Sequence, residues 1–250
     1  MFLSMLKTQK NITMKNFLIA FFTLASFHVV AQETIINDAN AQKRSLQASF
    51  SAIKVSSGIN LFITQGTEES VAVSASEAKH LERLKTVVEN GVLKIYYDNN
   101  GVSWKNERRS LKAYVSFKTL EKLHGSSGAS VHAKSVLKLA SLSLDFSSGS
   151  AFEGEVAVEK LFASQDSGSE IIITGKADRL SVDVSSGAIF KGFELLTEYC
   201  AAKASSGADA RVSVNKELEA KASSGGGIKY KGAAVLSDLN VSSGGMVKKS

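Results

Sequence analysis

The chain has no proline and a single cysteine among its 250 residues. Without proline, and with abundant Ser, Gly and Val, it does not read as a disordered stalk. With one cysteine, Cys200, it cannot be a disulfide scaffold. That residue falls on an apolar repeat position, which predicts a buried thiol rather than a reactive one. Excess charge is also scarce. The formal net charge is +6, and Lys7, Lys10 and Lys15 belong to the leader described next, leaving +3. So mild an excess gives no reason to expect a nucleic-acid partner.

Long apolar runs are lacking too, with one exception. Lys15 precedes a largely apolar run from Phe17 to Phe27, and Val29-Val30-Ala31 follows. The run is short of the roughly 20 residues a membrane-crossing helix needs. Val29 and Ala31 suit the −3 and −1 positions of a cleavage site, so residues 1–31 read as a signal peptide cut after Ala31. Met14 heads a more typical signal than Met1. Gln32 stands where a lipid-anchored protein would have Cys, and no later segment reads as membrane-spanning. The expectation is an exported chain in the periplasm, at the cell surface or outside the cell, with residues 32–48 as a flexible leader.

What is present is a repeat. Ser-Ser-Gly ends at Gly128, Gly149, Gly187, Gly207, Gly225 and Gly244, and Asp166-Ser167-Gly168 fills the one gap. The spacing is about 19 residues. An earlier copy, Ser56-Ser57-Gly58, sits outside this spacing. The flanks alternate with period two, as in Leu180-Ser181-Val182-Asp183-Val184 and Ala188-Ile189-Phe190, which is the strand signature. A unit this short cannot bury its own apolar face, so neighbours must stack. The fold class is therefore all-β, a single-stranded parallel β-helix over residues 124–250. Residues 49–123 are less regular and form an N-terminal β-rich part that starts and plugs the solenoid. Within it, Asn90-Gly91 predicts a hairpin turn, and Glu77–Lys85 predicts a short helix capped by Ser76.

Counting back from each glycine, positions −3, −5 and −7 point inward, as with Phe146, Leu144 and Leu142. The same parity places the second Ser of each motif inside. Each glycine either supplies a backbone angle other residues resist or allows close approach between coils. A motif present in every coil is architecture, not a set of nucleophiles.

The chain also resembles a known family. Phe50-Ser51-Ala52-Ile53-Lys54-Val55-Ser56-Ser57-Gly58-Ile59-Asn60, with its Gly-Ile-Asn triplet, Ile63-Thr64-Gln65-Gly66 and the later Ser-Gly repeats are similar to the autotransporter adhesin head GIN domain family of Bacteroidetes-type bacteria. The resemblance covers residues 49–244. It implies a right-handed parallel β-helix like that of pectin lyases without their catalytic residues, and a role in cell adhesion. Two departures are the missing lipobox and the lack of a membrane barrel or sorting domain after the solenoid.

Candidate chemistry lies on the outward positions. Position −4 aligns His124, Asp145, Ser164, Asp183, Lys203, Lys221 and Asn240, and Asp166 lies nearby at −2. Rungs about 4.8 Å apart would let His124 meet Asp145 and Asp183 meet Lys203. Position +4 aligns Lys191, Arg211 and Lys229, which could track an anionic polymer or simply protect an edge. Trp104 sits in a basic loop with Lys105, Arg108 and Arg109, while His80 and His132 read as isolated. No cofactor or metal motif is present. The expected function is a non-catalytic adhesion or binding module with a glycan or protein partner. The alternatives are a polysaccharide lyase or hydrolase, and a purely structural envelope protein. Lys248 and Lys249 either blunt the last coil or yield to a second copy in a homo-oligomer.

Overall fold

The computed structural model describes residues 38–101 and 109–250. The expected signal peptide at residues 1–31, and Trp104, Lys105 and Arg108, lie outside the described residues. What is described is nearly all strand, wound into a β-solenoid of about 7 turns with about 19 residues per turn.

The strands are β1 Gln42–Arg44, β2 Ala52–Val55, β3 Asn60–Gln65, β4 Ser70–Ser74, β5 Leu84–Glu89, β6 Val92–Tyr97, β7 Lys112–Phe117, β8 Lys122–Gly125 and β9 Ser130–Ala133. They continue as β10 Leu137–Phe146, β11 Ala151–Gln165, β12 Glu170–Val184, β13 Ile189–Ala204, β14 Asp209–Ala222, β15 Gly227–Lys231, β16 Val235–Val241 and β17 Met246–Lys249. The one helix among the described residues, α1, is Ala78–Arg83. All seventeen strands among the described residues belong to one sheet that crosses residue 123 without a break. Every long strand pairs in parallel with the strand one coil away, as Leu180 with Cys200 and Val182 with Ala202.

Alternation decides the core. Leu142, Leu144, Phe146, Leu180, Val182, Val184, Cys200, Ala202 and Ala204 are all buried, and the residues between them face out. Stacking turns the inward rows into largely apolar columns, with the Phe146 and Phe152 rings 5.9 Å apart, and interrupts the −3 column only at buried Gln165, whose Nε2 donates to Ile189 O at 3.0 Å. Cys200 is inside, and burial pushes its thiol up to about 12.

The corners are where parity fails. Across the copies, φ is 47–66° at the second Ser and 67–74° at the Gly. Two successive left-handed residues make a tight turn, closed for example by Ala188 N–H donating to Ser185 O at 3.0 Å. This interrupts the alternation at one place and lets it resume beyond, so the second Ser is not inside: Ser127, Ser148, Ser167, Ser186, Ser206, Ser224 and Ser243 are all exposed. The inward small residue is the one after the glycine, such as Ala129, Ser150, Ser169, Ala188 or Ala208. Ser150 and Ser169 satisfy their hydroxyls on the Gly125 and Phe146 carbonyls of the previous coil, both at 2.8 Å. The glycine is required for its angle and not for closeness, since a Cβ at Gly187 would meet nothing within 4 Å. Gly226 is the opposite case, because a Cβ there would lie 2.3 Å from the Ala204 carbonyl oxygen.

Spatial order differs from chain order at the N-terminal end. β2 lies between β6 and β8, and β3 between β7 and β9. Ser56-Ser57-Gly58 thereby joins the ladder it misses in sequence, with Gly58 N–H donating to Ser127 O at 2.9 Å. The β5–β6 hairpin turns at Asn90 and Gly91, both with positive φ, and its antiparallel pairing closes that end. Ser76 does not cap α1. Its hydroxyl donates to Arg109 O, and Glu77 holds the cap position without a side-chain bond.

The described part of the leader is held to the body rather than free. β1 pairs antiparallel with β4, and Arg44 Nη2 donates to Leu81 O at 3.0 Å. The anchor is Asp38, whose Oδ2 accepts from Ser74 Oγ at 2.7 Å and Tyr114 Oη at 2.8 Å, with Lys112 Nζ 3.5 Å away. Those hydroxyls hold its carboxyl from the ordinary 3.8 down to about 2. At the other end β17 adds a last rung to β15, and Val235, Leu239, Val241 and Met246 remain exposed.

Two stability tests follow. Gly187→Ala carries backbone strain alone and should cost about 1 kcal/mol. Gly226→Ala forces a clash with Ala204 and should cost about 1–3 kcal/mol. Urea midpoints that reverse this order would contradict the corner geometry. For the leader, Asp38→Asn should lower stability at pH 7 by about 1–3 kcal/mol. A carboxyl depressed when folded stabilises above its unfolded value and stops doing so as pH falls. The gap between wild type and variant should therefore narrow as pH drops from 3.8 to about 2, read from urea melts across that range.

Candidate functional site

The parallel register forms the predicted −4 column as a physical ladder. His124 pairs in register with Asp145, Asp145 with Ser164, Ser164 with Asp183, Asp183 with Lys203, and Lys203 with Lys221. His124 Nδ1 lies 3.1 Å from Asp145 Oδ2, and Lys122 Nζ approaches the same oxygen at 3.7 Å. Lys203 Nζ lies 4.0 Å from Asp183 Oδ2. Asp145 and Asp183 are two rungs apart, about 10 Å, and Asp166 stands exposed at its corner. The Asp183 and Asp145 side chains are 60% and 37% exposed, so both reach solvent. Toward the C-terminal end this column borders a shallow groove of about 420 Å³ with Asp183, Lys203, Lys221 and Asn240 on its walls. A hydrogen bond from Lys221 to Asp238 raises the lysine above its ordinary value.

The +4 column also forms, but not as a run of free cations. Lys191, Arg211 and Lys229 are in register on β13, β14 and β15. Carboxylates at position +2 meet each of them. Glu170 pairs with Lys191, while Asp209 takes Arg211 at 3.0 Å and Lys229 at 3.5 Å. The alternating flank that puts cations at +4 puts acids at +2 on the same face.

Further along this column the sequence reading missed an aromatic stack. Tyr114, Phe62 and His132 lie on successive rungs with ring centroids 5.3 and 5.5 Å apart, and Lys134 Nζ sits 5.0 Å from the Phe62 ring. His132 is therefore not isolated, and its Nδ1 is also 3.3 Å from Glu153. His80 is buried with Nδ1 2.9 Å from Tyr97 Oη. The signal for the stack was hidden, because β3 and β7 are stacked out of chain order. Among the described residues, no three His, Cys, Asp or Glu side chains converge as a metal ion requires.

A second groove, of about 430 Å³, lies on positions −6 and −8, which the sequence reading did not count. Its floor is Ser181 and Ala201, and its walls include Phe162, Arg179 and Tyr199. The Arg179 guanidinium lies 4.5 Å from the Tyr199 ring centroid, and Lys216 Nζ lies 5.6 Å from it. Lys216 is tied in turn to Glu198 at 3.1 Å. Aligning the repeats on −8 would have shown Lys160, Arg179, Tyr199 and Glu217 as one column.

No helix among the described residues is long and apolar enough to cross a membrane. Solved structures share this architecture. A "putative adhesin" from Bacteroides fragilis superposes with a TM-score of 0.76 at 15% identity, over 84% of this chain and 96% of that one. A "putative adhesin" from Parabacteroides distasonis gives 0.69 at 18% identity, over 84% and 96%. A "Putative lipid binding protein" from the same species gives 0.60 at 19%, over 85% and 98%. At such identities the likeness shows the fold alone. No curated protein matches the sequence. The family model described as "Putative auto-transporter adhesin, head GIN domain" matches residues 49–234, which takes in the Gly-Ile-Asn coil and six of the seven later repeat glycines, and the chain belongs to that family.

Proposed function

We propose that this protein is an exported, non-catalytic display module that binds a surface glycan or protein through the outward columns of its solenoid. The observation that carries this reading is the state of its ionisable groups. His124, Asp145, Asp183, Lys191, Lys203, Arg211 and Lys229 stand on open strand faces, each near an opposite charge one or two residues or one rung away. A lyase or hydrolase needs an acid, a base and a substrate held together in a cleft that shifts their proton affinities. A regular ladder offers instead a long, repetitive surface, which suits contact with an extended partner. Membership of an adhesin family supports the same reading. The leader at residues 1–31 supports export.

The direct test is the protein from Gln32 onward, applied to a glycan array and to plant and bacterial polysaccharides. The triple variant Asp145→Asn, Asp166→Asn, Asp183→Asn should keep the wild-type fold, because exposed pairs are each worth about 0–1 kcal/mol. Both proteins should release no sugar. Any turnover by the wild type would establish a polysaccharide-active enzyme and reject this reading, and its loss in the triple variant would place the chemistry on the −4 column.

Charge pairing on the +4 column gives a second expectation. Wild type should elute from heparin at low salt, and Glu170→Gln with Asp209→Asn should move elution to higher salt by uncovering Lys191, Arg211 and Lys229. Equal elution of the two proteins would mean that the acids do not govern that face.

A further inference from the structure

We propose that the groove between Phe162 and Glu219 is a binding site for a neutral saccharide, of the size of one or two sugar rings. This rests on the display-module reading and names the site and ligand class within it.

The groove is a gap in a column. In register, Phe162 on β11 is followed by Ser181 on β12, Ala201 on β13 and Glu219 on β14. Two small residues between two large ones leave a trough about 14 Å from end to end across three rungs. The neighbouring column, Lys160, Arg179, Tyr199 and Glu217, forms its long wall. A volume of about 430 Å³ lies within the range of small-molecule sites, roughly 300–1,000 Å³.

The wall is set before any ligand arrives. Arg179 covers one part of the Tyr199 ring and Lys216 another, so Tyr199 offers its edge and hydroxyl rather than an open face. Phe162 is the reverse. It is 47% exposed, and no aromatic or cationic group lies over its ring among the described residues. An exposed ring that the fold leaves uncovered can take the C–H face of a pyranose, while Arg179, Ser181, Glu217 and Glu219 supply donors and acceptors for hydroxyls. A preset wall lowers the ordering cost of binding.

Charge selects among ligands. Lys160 and Arg179 are offset by Glu217 and Glu219, so the trough as a whole is neutral and gives a polyanion no net attraction. An acyl chain would strip water from four charges without replacing it. A peptide added as a strand would need unpaired backbone, and β12 and β13 are paired on both sides. A neutral polyhydroxylated ring meets none of these objections.

The probes are maltose, cellobiose, lactose and mannobiose as neutral ligands, with oligogalacturonate and heparin as acidic ones, titrated calorimetrically into the protein from Gln32 onward. The expected result is saturable binding of at least one neutral probe, unchanged from low to high salt. Phe162→Ala should weaken it about tenfold. Ala201→Tyr, which fills the floor from the outer face without touching the core, should abolish it. Retained strand circular dichroism checks that both variants fold. Absence of binding by all four neutral probes, binding by the acidic probes alone, or neutral binding that survives Ala201→Tyr would overturn the proposal. In that last case, or if the whole protein still binds a glycan array with both variants, the site is wrong while the display-module reading stands.

Discussion

One hydrogen bond holds the geometry on which everything else depends. At each corner but the last the glycine N–H donates to the second Ser carbonyl of the next coil in the stack, as Gly149 to Ser167, Gly168 to Ser186 and Gly187 to Ser206, at 3.0–3.1 Å. It forms because two successive residues adopt positive φ and turn their peptide groups along the solenoid axis. The strand ladders alone could slip by two residues and keep their faces. A corner bond repeated at every coil removes that freedom, so every column, buried or exposed, is locked in register.

From that register both the core and the surface follow. The inward columns are mainly apolar, and those at −3 and −5 shrink toward the C-terminal end, where Ala202, Ala204, Ala220 and Ala222 replace Phe and Leu. Outward columns inherit a spacing of about 4.8 Å, which brings like positions of successive repeats within ion-pair distance. An acid in one coil then finds a base in the next, as Asp183 finds Lys203. Such pairing gives a solvated, mutually neutralised face. Under the proposed display reading, such a face serves recognition of an extended partner rather than proton transfer, which needs groups held away from water.

The repeats were legible because period-two alternation and glycine spacing are local properties of the chain. From them came the strand faces, the buried Cys200 and the membership of the −4 and +4 columns. The failures share a physical cause. Parity carried through the corner as if the chain stayed extended places Ser186 and its equivalents inside, whereas two left-handed residues move that place to Ala188. Ser56-Ser57-Gly58 was set apart because its neighbours along the stack, β6 and β8, are distant in sequence. The same displacement hid the stack of Tyr114, Phe62 and His132. The leader shows no periodicity because, among its described residues, a strand of only three forms, at β1, and much of its hold comes from the single carboxylate of Asp38, which no pattern announces.

The most direct measurement of the account is native-state hydrogen exchange at the corners. These glycines are exposed and lie in turns, where amides ordinarily exchange quickly, yet the corner bond requires their N–H groups to be held as firmly as a strand's. The account predicts that Gly149, Gly168, Gly187 and Gly207 exchange only with global unfolding, at the rate shown by Val182 in the strand between them. Fast exchange at these glycines beside a protected Val182 would show that the corners do not carry the register, and would contradict the account at its base.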